Sequence, residues 1–351
     1  MDDLISIGEF SARSGLSPKR LRSYAAAGLL PPAAIDSVSG YRFYAPGQIR
    51  VAELIDALRG AGMPVADIGE FLRCPTADRL DTWATRLEYD AVQRRNALDL
   101  ARRLLTTSGE PSANAEAMMR LDTASRTETG PVRPTNEDAV LTGPTLAAVA
   151  DGLGGAPGGQ LASSLAIAIL SDAFTGASAD ELTAAVRAAN RAIFERADAA
   201  DGLDGMGTTI CAAGLTADGL LTVVHVGDSR TYLSRAGTLT RLTDDHSVPF
   251  DLVRRGELTE AEVADHPHRN VLTRALGVGP GVEMDSADHR VAPGDRLLLC
   301  TDGLFTEAAE DDIAAAMSRG AGLQETADEL IELAMAGGGR DNVSVVVAEV
   351  A

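Results

Sequence analysis

The chain has 351 residues, 45% of them hydrophobic, which predicts two globular domains and excludes a disordered chain. No run of about 18 apolar residues is present and the N-terminus lacks the layout of a signal peptide, so we expect a cytoplasmic protein without a membrane partner. The cysteines, Cys74, Cys211 and Cys300, are odd in number and far apart, which argues against a disulfide framework or a zinc site.

The net charge of −20 is unevenly distributed along the chain. Residues 1–110 hold 14 Lys and Arg against 14 Asp and Glu, whereas residues 111–351 hold 17 against 37. A strongly acidic surface repels nucleic acid and anionic membranes. If the chain binds DNA, the contact must therefore lie in the first part.

The first predicted domain, residues 1–75, contains short amphipathic helices interrupted by Gly and Pro. Residues 5–15 predict a helix that ends at Gly15. Ser17 can cap a second helix that has Pro18 in its first turn. That helix is expected to point basic side chains outward, and residues 39–44 (SGYRFY) predict a compact aromatic hairpin.

A long helix is predicted over residues 76–105, where apolar residues recur at helical spacing with charges of both signs between them. A line of apolar residues along one side of a helix is typical of a helix that pairs with the same helix of a second copy of the chain, which predicts a homodimer. A helix that packs on its own domain fits the pattern nearly as well. Residues 106–120 are rich in small and polar residues and predict a linker.

Residues 121–351 alternate apolar, strand-like runs with longer helical stretches. The runs at 208–215 and 220–226 are joined too tightly for a crossover helix, so we expect them to pair antiparallel. The mixture predicts an α+β domain with antiparallel sheets inside and helices outside.

Carboxylates stand beside the predicted strands of this domain. In chain order they are Glu137, Asp138, Asp151, Asp228, Asp302 and Asp341. Aspartate is a poor strand residue and is costly to bury alone, so carboxylates that meet at one rim need hard cations between them. Because the set offers only oxygen, Mg²⁺ or Mn²⁺ is favoured over Zn²⁺. Any single Asp-Gly among them also fits a simple turn.

Eight segments carry a family resemblance, in order and at plausible spacing. They are GPVRPTNED (130–138), VADGLGGAPGGQLAS (149–163), GMGTT (205–209), HVGDSR (225–230), LTDDHS (242–247), HRNVLTRALG (268–277), LLLCTDGL (297–304) and GGRDNVSVVV (338–347). Together they resemble the type-2C metal-dependent protein phosphatases (the PPM family). The resemblance implies an α-β-β-α fold with two central antiparallel sheets. It also implies hydrolysis of phosphoserine and phosphothreonine in protein substrates by a metal-activated water.

The resemblance assigns most of the metal ligands and the catalytic residues. It implies that Asp151 bridges two Mn²⁺ or Mg²⁺ ions and that Gly152 offers its carbonyl oxygen. Asp302 and Asp341 would hold the second ion. With Arg133, which would bind the phosphate, these three aspartates are the expected catalytic residues, since a guanidinium fork suits phosphoryl oxygens.

Three further carboxylates complete the expected metal site. By resemblance, Glu137 and Asp138 would act mainly through metal-bound waters, and Asp228 would belong to a third, weaker site. One position departs from the family: some members carry a histidine as general acid where this chain has Leu153. His246 is a possible substitute, although such a histidine is more often structural. Residues 248–275 correspond to the family's flap.

The first domain resembles the winged helix-turn-helix of MerR-type regulators over residues 5–73. The resemblance rests on RLRSY (20–24), GLLPP (28–32) and GYRFY (40–44), with the helix at 76–105 in the place of the dimerising helix. It implies DNA contacts by Lys19, Arg20, Arg22 and Arg42. Two alternatives stay open: a transcription regulator with a phosphatase-like sensor domain, or a phosphatase whose first domain only docks or dimerises.

Overall fold

The computed structural model describes residues 4–36, 39–76, 79–80, 83, 98, 119–155, 158–176, 178–198, 203, 205–216, 219–263 and 266–351. They separate into two compact units, Met1–Trp83 and Ala84–Ala351. Most of the helix predicted over 76–105 and of the linker predicted over 106–120 lies outside the described residues. In the described part of the chain, no helix is long and apolar enough to span a membrane.

The described residues of the first unit form short helices packed beside a small antiparallel sheet. The helices are α1 (Ile7–Ser14), α2 (Pro18–Ala26), α3 (Gln48–Gly60) and α4 (Val65–Arg73), and the strands are β1 (Ile5–Ser6), β2 (Ala34–Ile35) and β3 (Arg42–Tyr44). The strand order is β1-β3-β2. The hairpin predicted at 39–44 is present, and its first strand begins earlier, at Ala34.

Local sequence signals explain where these helices begin and end. The Ser17 hydroxyl accepts the backbone N–H of Arg20, with Pro18 in the first turn of α2, as predicted. Helix α1 ends at Gly15, whose φ of 71° favours glycine. It begins only at Ile7, because Ile5–Ser6 pair with β3 instead of joining the predicted helix.

The core of the first unit is apolar and aromatic. Phe10, Leu21, Tyr44 and Ile55 are completely buried, and the rings of Phe10 and Tyr44 lie 4.7 Å apart. Burial of each such side chain stabilises the fold by about 1.5–3 kcal/mol. Tyr44 belongs to the GYRFY segment, so this core ties the hairpin to α1 and α2.

Two five-stranded antiparallel sheets lie in the described part of the second unit. The strands of this unit are β4 (Leu121–Glu128), β5 (Ala139–Leu141), β6 (Leu146–Ala150), β7 (Gly152–Leu153), β8 (Gly207–Thr208), β9 (Ile210–Leu215), β10 (Leu220–Val226), β11 (Arg230–Arg235), β12 (Thr238–Arg241), β13 (Asp285–Arg290), β14 (Arg296–Cys300) and β15 (Val343–Val350). One sheet has the order β13-β10-β9-β6-β5 and the other β12-β11-β14-β15-β4. The antiparallel pairing predicted for β9 and β10 is confirmed.

Helices cover the outer faces of both sheets, and side-chain alternation explains the layers. The helices are α5 (Gly158–Ala173), α6 (Ala179–Asp198), α7 (Val248–Arg254), α8 (Glu260–Val263), α9 (Asp302–Phe305), α10 (Glu310–Ser318) and α11 (Leu323–Gly337). In β6, Ala148 and Ala150 pack with α5 and α6, whereas Ala147 and Val149 face the other sheet. In β14, Leu298 packs with α10 and α11. The α-β-β-α layering predicted by resemblance is therefore present.

The carboxylates of the predicted metal site lie next to the ends of strands. Asp151 follows β6 directly, Asp228 follows β10 after one glycine, and Asp302 follows β14 after Thr301. Asp341 lies two residues before β15. Strands of both sheets therefore deliver carboxylates to the same region of the unit.

Candidate active site

The predicted site residues converge on one cleft of about 210 Å³. It is lined by Arg133, Glu137, Asp151, Gly152, Leu153, Gly154, Gly155, Asp228, Asn270, Leu272, Asp302, Asp341 and Asn342. Of the residues predicted to hold metal, Asp138 is the one that does not line it. Asp138 is buried behind the cleft, where one of its oxygens accepts the Thr301 hydroxyl at 2.9 Å.

Hydrogen bonds to neighbouring residues fix the backbone of Asp151. Its N–H donates to the Thr209 hydroxyl at 2.9 Å, and its carbonyl accepts the Thr209 N–H and the Thr208 hydroxyl, both at 2.8 Å. The end of β6 is thus anchored to β8 and β9, and Asp151 has little freedom to move.

The glycine loop that follows Asp151 permits a close approach of three chain segments. A Cβ atom at Gly152 would overlap the carbonyl oxygens of Gly159 and Glu137, and one at Gly159 would overlap the Glu137 carboxylate. The Gly152 N–H also donates to the Glu137 carbonyl at 3.2 Å. Only glycine at these positions lets Glu137 reach the cleft beside Asp151.

Asn342 was not predicted as a site residue, yet it holds the segment between β4 and β5 that carries Glu137. Its side-chain oxygen accepts the Glu137 N–H, and its amide donates to the carbonyls of Thr129 and Thr135, all at 2.9 Å. The signal available in the sequence was its position, directly after Asp341 and directly before an apolar strand. Its partners lie more than 200 residues away, so spacing alone could not reveal its role.

Arg133 stands at the rim of the cleft with its side chain about half exposed. One guanidinium nitrogen donates to an Asp341 oxygen at 2.7 Å, and this bond raises the pKa of Arg133. Among the described residues, Asp341 is its one hydrogen-bond partner. The rest of the fork is free to bind an anion that enters the cleft.

The buried carboxyls repel one another. Burial first, and then neighbouring carboxylates, raise the pKa of Asp138 to about 7 and that of Asp302 to about 6. The same causes raise the pKa values of Asp151 and Asp228 well above the ordinary range. One oxygen each of Asp138 and Asp302 is buried without a hydrogen-bond partner. The cluster therefore needs compensating positive charge.

This donor set fits hard divalent cations. It offers carboxylate oxygens, unpartnered acceptors and the Gly152 backbone, with no thiolate among the cleft residues. Within the described residues, no three Asp, Glu, His or Cys side chains already surround a single point. Mg²⁺-type sites need only one or two carboxylates per ion, with waters completing the shell. The arrangement thus suits ions that share carboxylates.

His246 does not reach the cleft. Its side chain is completely buried, its Nδ1 accepts the Gly227 N–H, and its Nε2 lies 3.2 Å from an Asp285 oxygen. The suggestion that it replaces the missing general acid is therefore wrong. Leu153 lines the cleft at the position of that acid, as the sequence indicated.

A second cavity of about 360 Å³ adjoins the cleft and was not predicted. The two share Asp228, Asn270 and Asp302. Phe250 and Phe305 form apolar walls of the second cavity. It is lined in part by the segment predicted as a flap. The cavity therefore offers a surface next to the cleft for the part of a bound molecule that adjoins its reacting group.

The basic residues predicted to contact DNA lie on two elements of the first unit, α2 and β3. Lys19, Arg20 and Arg22 on α2 are exposed, but Arg20 is paired with Asp56 at 2.9 Å. Arg42 on β3 is partly exposed. Burial raises the pKa of Tyr44, and the positive charges of Arg42 and Arg22 oppose that rise.

Comparison with known proteins agrees with both parts of the chain. Residues 135–334 match the family model described as Protein phosphatase 2C, and residues 5–73 match MerR HTH family regulatory protein. A Mycobacterium tuberculosis relative, serine/threonine protein phosphatase PstP, is 43% identical over 240 residues, covering 67% of this chain and 46% of the relative. The chain thus spans about half the length of that relative. Serine/threonine phosphatase stp of Listeria monocytogenes is 36% identical over 237 residues, covering 64% and 94%.

Solved structures show the same likeness. The crystal structure of M. tuberculosis PstP/Ppp has a TM-score of 0.62 and 42% identity, covering 66% of this chain and 98% of that one. The PstP catalytic domain in complex with two manganese ions has a TM-score of 0.61 and 41% identity, covering 66% and 99%. With the family match over more than half of its length, the chain belongs to the protein phosphatase 2C family and carries a MerR-type helix-turn-helix module before the phosphatase-like domain.

Proposed function

We propose that residues 121–351 hydrolyse phosphoserine and phosphothreonine in protein substrates with the help of Mn²⁺ or Mg²⁺. The observation that carries the proposal is the convergence of carboxylates from both sheets on one cleft with a guanidinium at its rim. Relatives named as serine/threonine phosphatases, and one solved with two manganese ions, support it.

Asp151, Gly152, Asp302 and Asp341 are the residues that would hold two metal ions in this proposal. Ions held there would supply positive charge to phosphoryl oxygens and would lower the pKa of water. The hydrogen bonds between Asp151 and Thr209 fix the backbone that carries this carboxylate, with or without an ion. The protein therefore binds its ions at little cost in reorganisation.

Glu137, Asp138 and Asp228 have supporting roles in this proposal. Glu137 reaches the cleft. Asp138 is buried behind the cleft and acts through Thr301, whose hydroxyl donates a hydrogen bond to the Asp138 carboxylate. Asp228 lines both cavities and is our candidate for a third, weaker ion. Because His246 is buried away from the cleft, we assign protonation of the leaving group to water.

Arg133 binds and orients the substrate phosphate. Its bond to Asp341 fixes one edge of the guanidinium, and the other nitrogens can donate to two phosphoryl oxygens. Arg133→Ala should raise KM about 10-fold, the effect expected for loss of hydrogen bonds to a charged group. Steady-state kinetics on a phosphopeptide would measure it.

Two control variants sharpen the Arg133 test. Arg133→Lys keeps the charge but not the fork, so its KM should fall between wild type and Ala. Arg126→Ala removes an arginine that pairs with Glu128 on β4, outside the cleft, and should leave KM unchanged. An Arg133→Ala enzyme with wild-type KM would remove Arg133 from the phosphate site.

The whole proposal is tested by assaying the full chain on p-nitrophenyl phosphate and on phosphoserine and phosphothreonine peptides with added Mn²⁺ or Mg²⁺. We expect turnover of all three substrates. Binding of a phosphopeptide without turnover, at any concentration of either ion, would favour the alternative of a transcription regulator with a sensor domain.

For the first unit we propose DNA binding by a homodimer. The MerR match over residues 5–73 and the exposed or partly exposed basic residues on α2 and β3 support it. Phosphate contacts would then come from α2 and from the hairpin. Arg20 contributes less than expected from the sequence, because Asp56 already neutralises it and also accepts the Tyr24 hydroxyl. The dimerising helix over 76–105 stays a prediction.

Replacing both Arg22 and Arg42 by Ala should weaken DNA binding by the full chain and make its logarithmic salt dependence shallower by about two. Retention of DNA fragments at several salt concentrations would measure both effects. Arg73→Ala, at the end of α4, is a matched control, and the phosphatase rate should not change in any variant. A full chain that retains no fragment at low salt would leave the docking or dimerisation module as the function of this unit.

A further inference from the structure

His246 connects three segments of the second unit. Its N–H donates to the Gly227 carbonyl at 2.7 Å, and its own carbonyl accepts the Thr273 N–H at 2.8 Å. Its ring reaches Asp285 at the start of β13. A single buried residue therefore joins the turn after β10 to the end of the segment that corresponds to the flap.

The contacts of the His246 ring indicate which of its two nitrogens carries the proton. Because Nδ1 accepts the Gly227 N–H at 3.1 Å, that nitrogen carries no proton. The proton of the neutral ring then lies on Nε2 and points to Asp285 at 3.2 Å. Arg274 lies 3.1 Å from Nε2 and donates to the other Asp285 oxygen at 2.7 Å. Burial lowers the pKa of His246, which agrees with a neutral ring.

Gly227 depends on these contacts because no side chain can hold it. Its φ of 107° lies in the left-handed region, and a Cβ atom there would lie 2.6 Å from a Thr209 methyl carbon. Both of its backbone hydrogen-bonding groups are used by His246. Gly227 directly precedes Asp228, so the position of the Asp228 backbone follows from the His246 contact.

The same turn is linked to Asp151. The hydroxyls of Ser229 and Thr209 lie 2.7 Å apart, and the Thr209 hydroxyl accepts the Asp151 N–H at 2.9 Å. On the other side, Leu276 and Thr208 exchange backbone hydrogen bonds of 2.8 and 3.1 Å. The end of the flap segment and the residues after it are therefore linked to the backbone of Asp151 through Thr208 and to the Gly227–Asp228 turn through His246.

We propose that His246 is a positioning residue: through Nδ1 it holds the Gly227–Asp228 turn, and through Asp285 and Thr273 it ties that turn to the end of the flap segment. The role rests on the proposed phosphatase function of the cleft. It needs no proton transfer by the ring. Without the Nδ1 acceptor, the buried Gly227 N–H loses its partner and Asp228 loses its fixed orientation.

Two near-isosteric variants separate the two ends of the ring. His246→Asn retains an acceptor close to the position of Nδ1 but loses the group that reaches Asp285. His246→Gln retains a group near Nε2 but loses the acceptor for Gly227, and His246→Ala loses both. We expect Gln and Ala to lower kcat and raise the half-saturating Mn²⁺ concentration by about 10-fold each, with Asn within about 3-fold of wild type.

Hydrogen exchange of the Gly227 amide in metal-free protein gives a readout that does not depend on activity. It should be faster in the Gln and Ala variants and close to wild type in Asn. Equal defects in Asn and Gln with equal losses in Tm would show a purely structural histidine, and wild-type kinetics and exchange in Ala would also overturn the proposal. A wild-type chain without Mn²⁺-dependent turnover would instead refute the proposed function, while the exchange result would still test the contact.

Discussion

Replacing Asp151, Asp302 or Asp341 by Asn lowers kcat by about 100-fold or more in the enzyme that we propose. Each change removes an anionic ligand and with it roughly 3 kcal/mol of charge stabilisation in the transition state. Turnover of p-nitrophenyl phosphate at saturating Mn²⁺ measures the loss. The peptide substrates should show the same loss, because the change affects the reacting group and not the protein part of the substrate.

The fold should survive these substitutions. Asn has nearly the size of Asp. In the Asp151 and Asp302 variants it removes a buried charge from a carboxyl whose pKa is raised, so Tm of the metal-free protein should rise or stay the same. Asp328→Asn on α11 is a control, since it removes a carboxylate that pairs with Arg126 outside the cleft. Near wild-type rates in all three cleft variants would refute the assignment of the site.

If the proposed function is correct, removal of divalent ions abolishes the activity and lowers the thermal stability of the protein. Ions that bind only the folded chain at 100 times their Kd stabilise it by about 2.7 kcal/mol, which corresponds to about 5–10 °C in Tm for a domain of this size. Thermal unfolding after treatment with a chelator, and again after addition of Mn²⁺, measures the difference.

The rise in Tm must come from ions that bind in the cleft. In Asp302→Asn, the rise in Tm with Mn²⁺ should be much smaller, and Na⁺ at matched ionic strength should have little effect on either protein. Full activity after rigorous removal of metal would contradict the proposed chemistry, even if the aspartate variants were inactive.

Much of this protein was determined by local sequence. Ser17 and Pro18 start α2 because a hydroxyl and a fixed φ satisfy the first turn without help from distant residues. The apolar runs at 146–150 and 343–350 become buried strands because their composition leaves no polar face. The positions of Asp151, Asp228 and Asp302 after such strands were enough to predict a shared rim.

Only the tertiary structure decided which of these residues meet and how. It buried Asp138 behind the cleft, paired Arg20 with Asp56, and used both nitrogens of the His246 ring internally. It also recruited Asn342, whose partners lie more than 200 residues earlier. Periodicity and capping act over a few residues, whereas these contacts depend on how helices and strands that are distant in the sequence pack together within each unit, which no local pattern encodes.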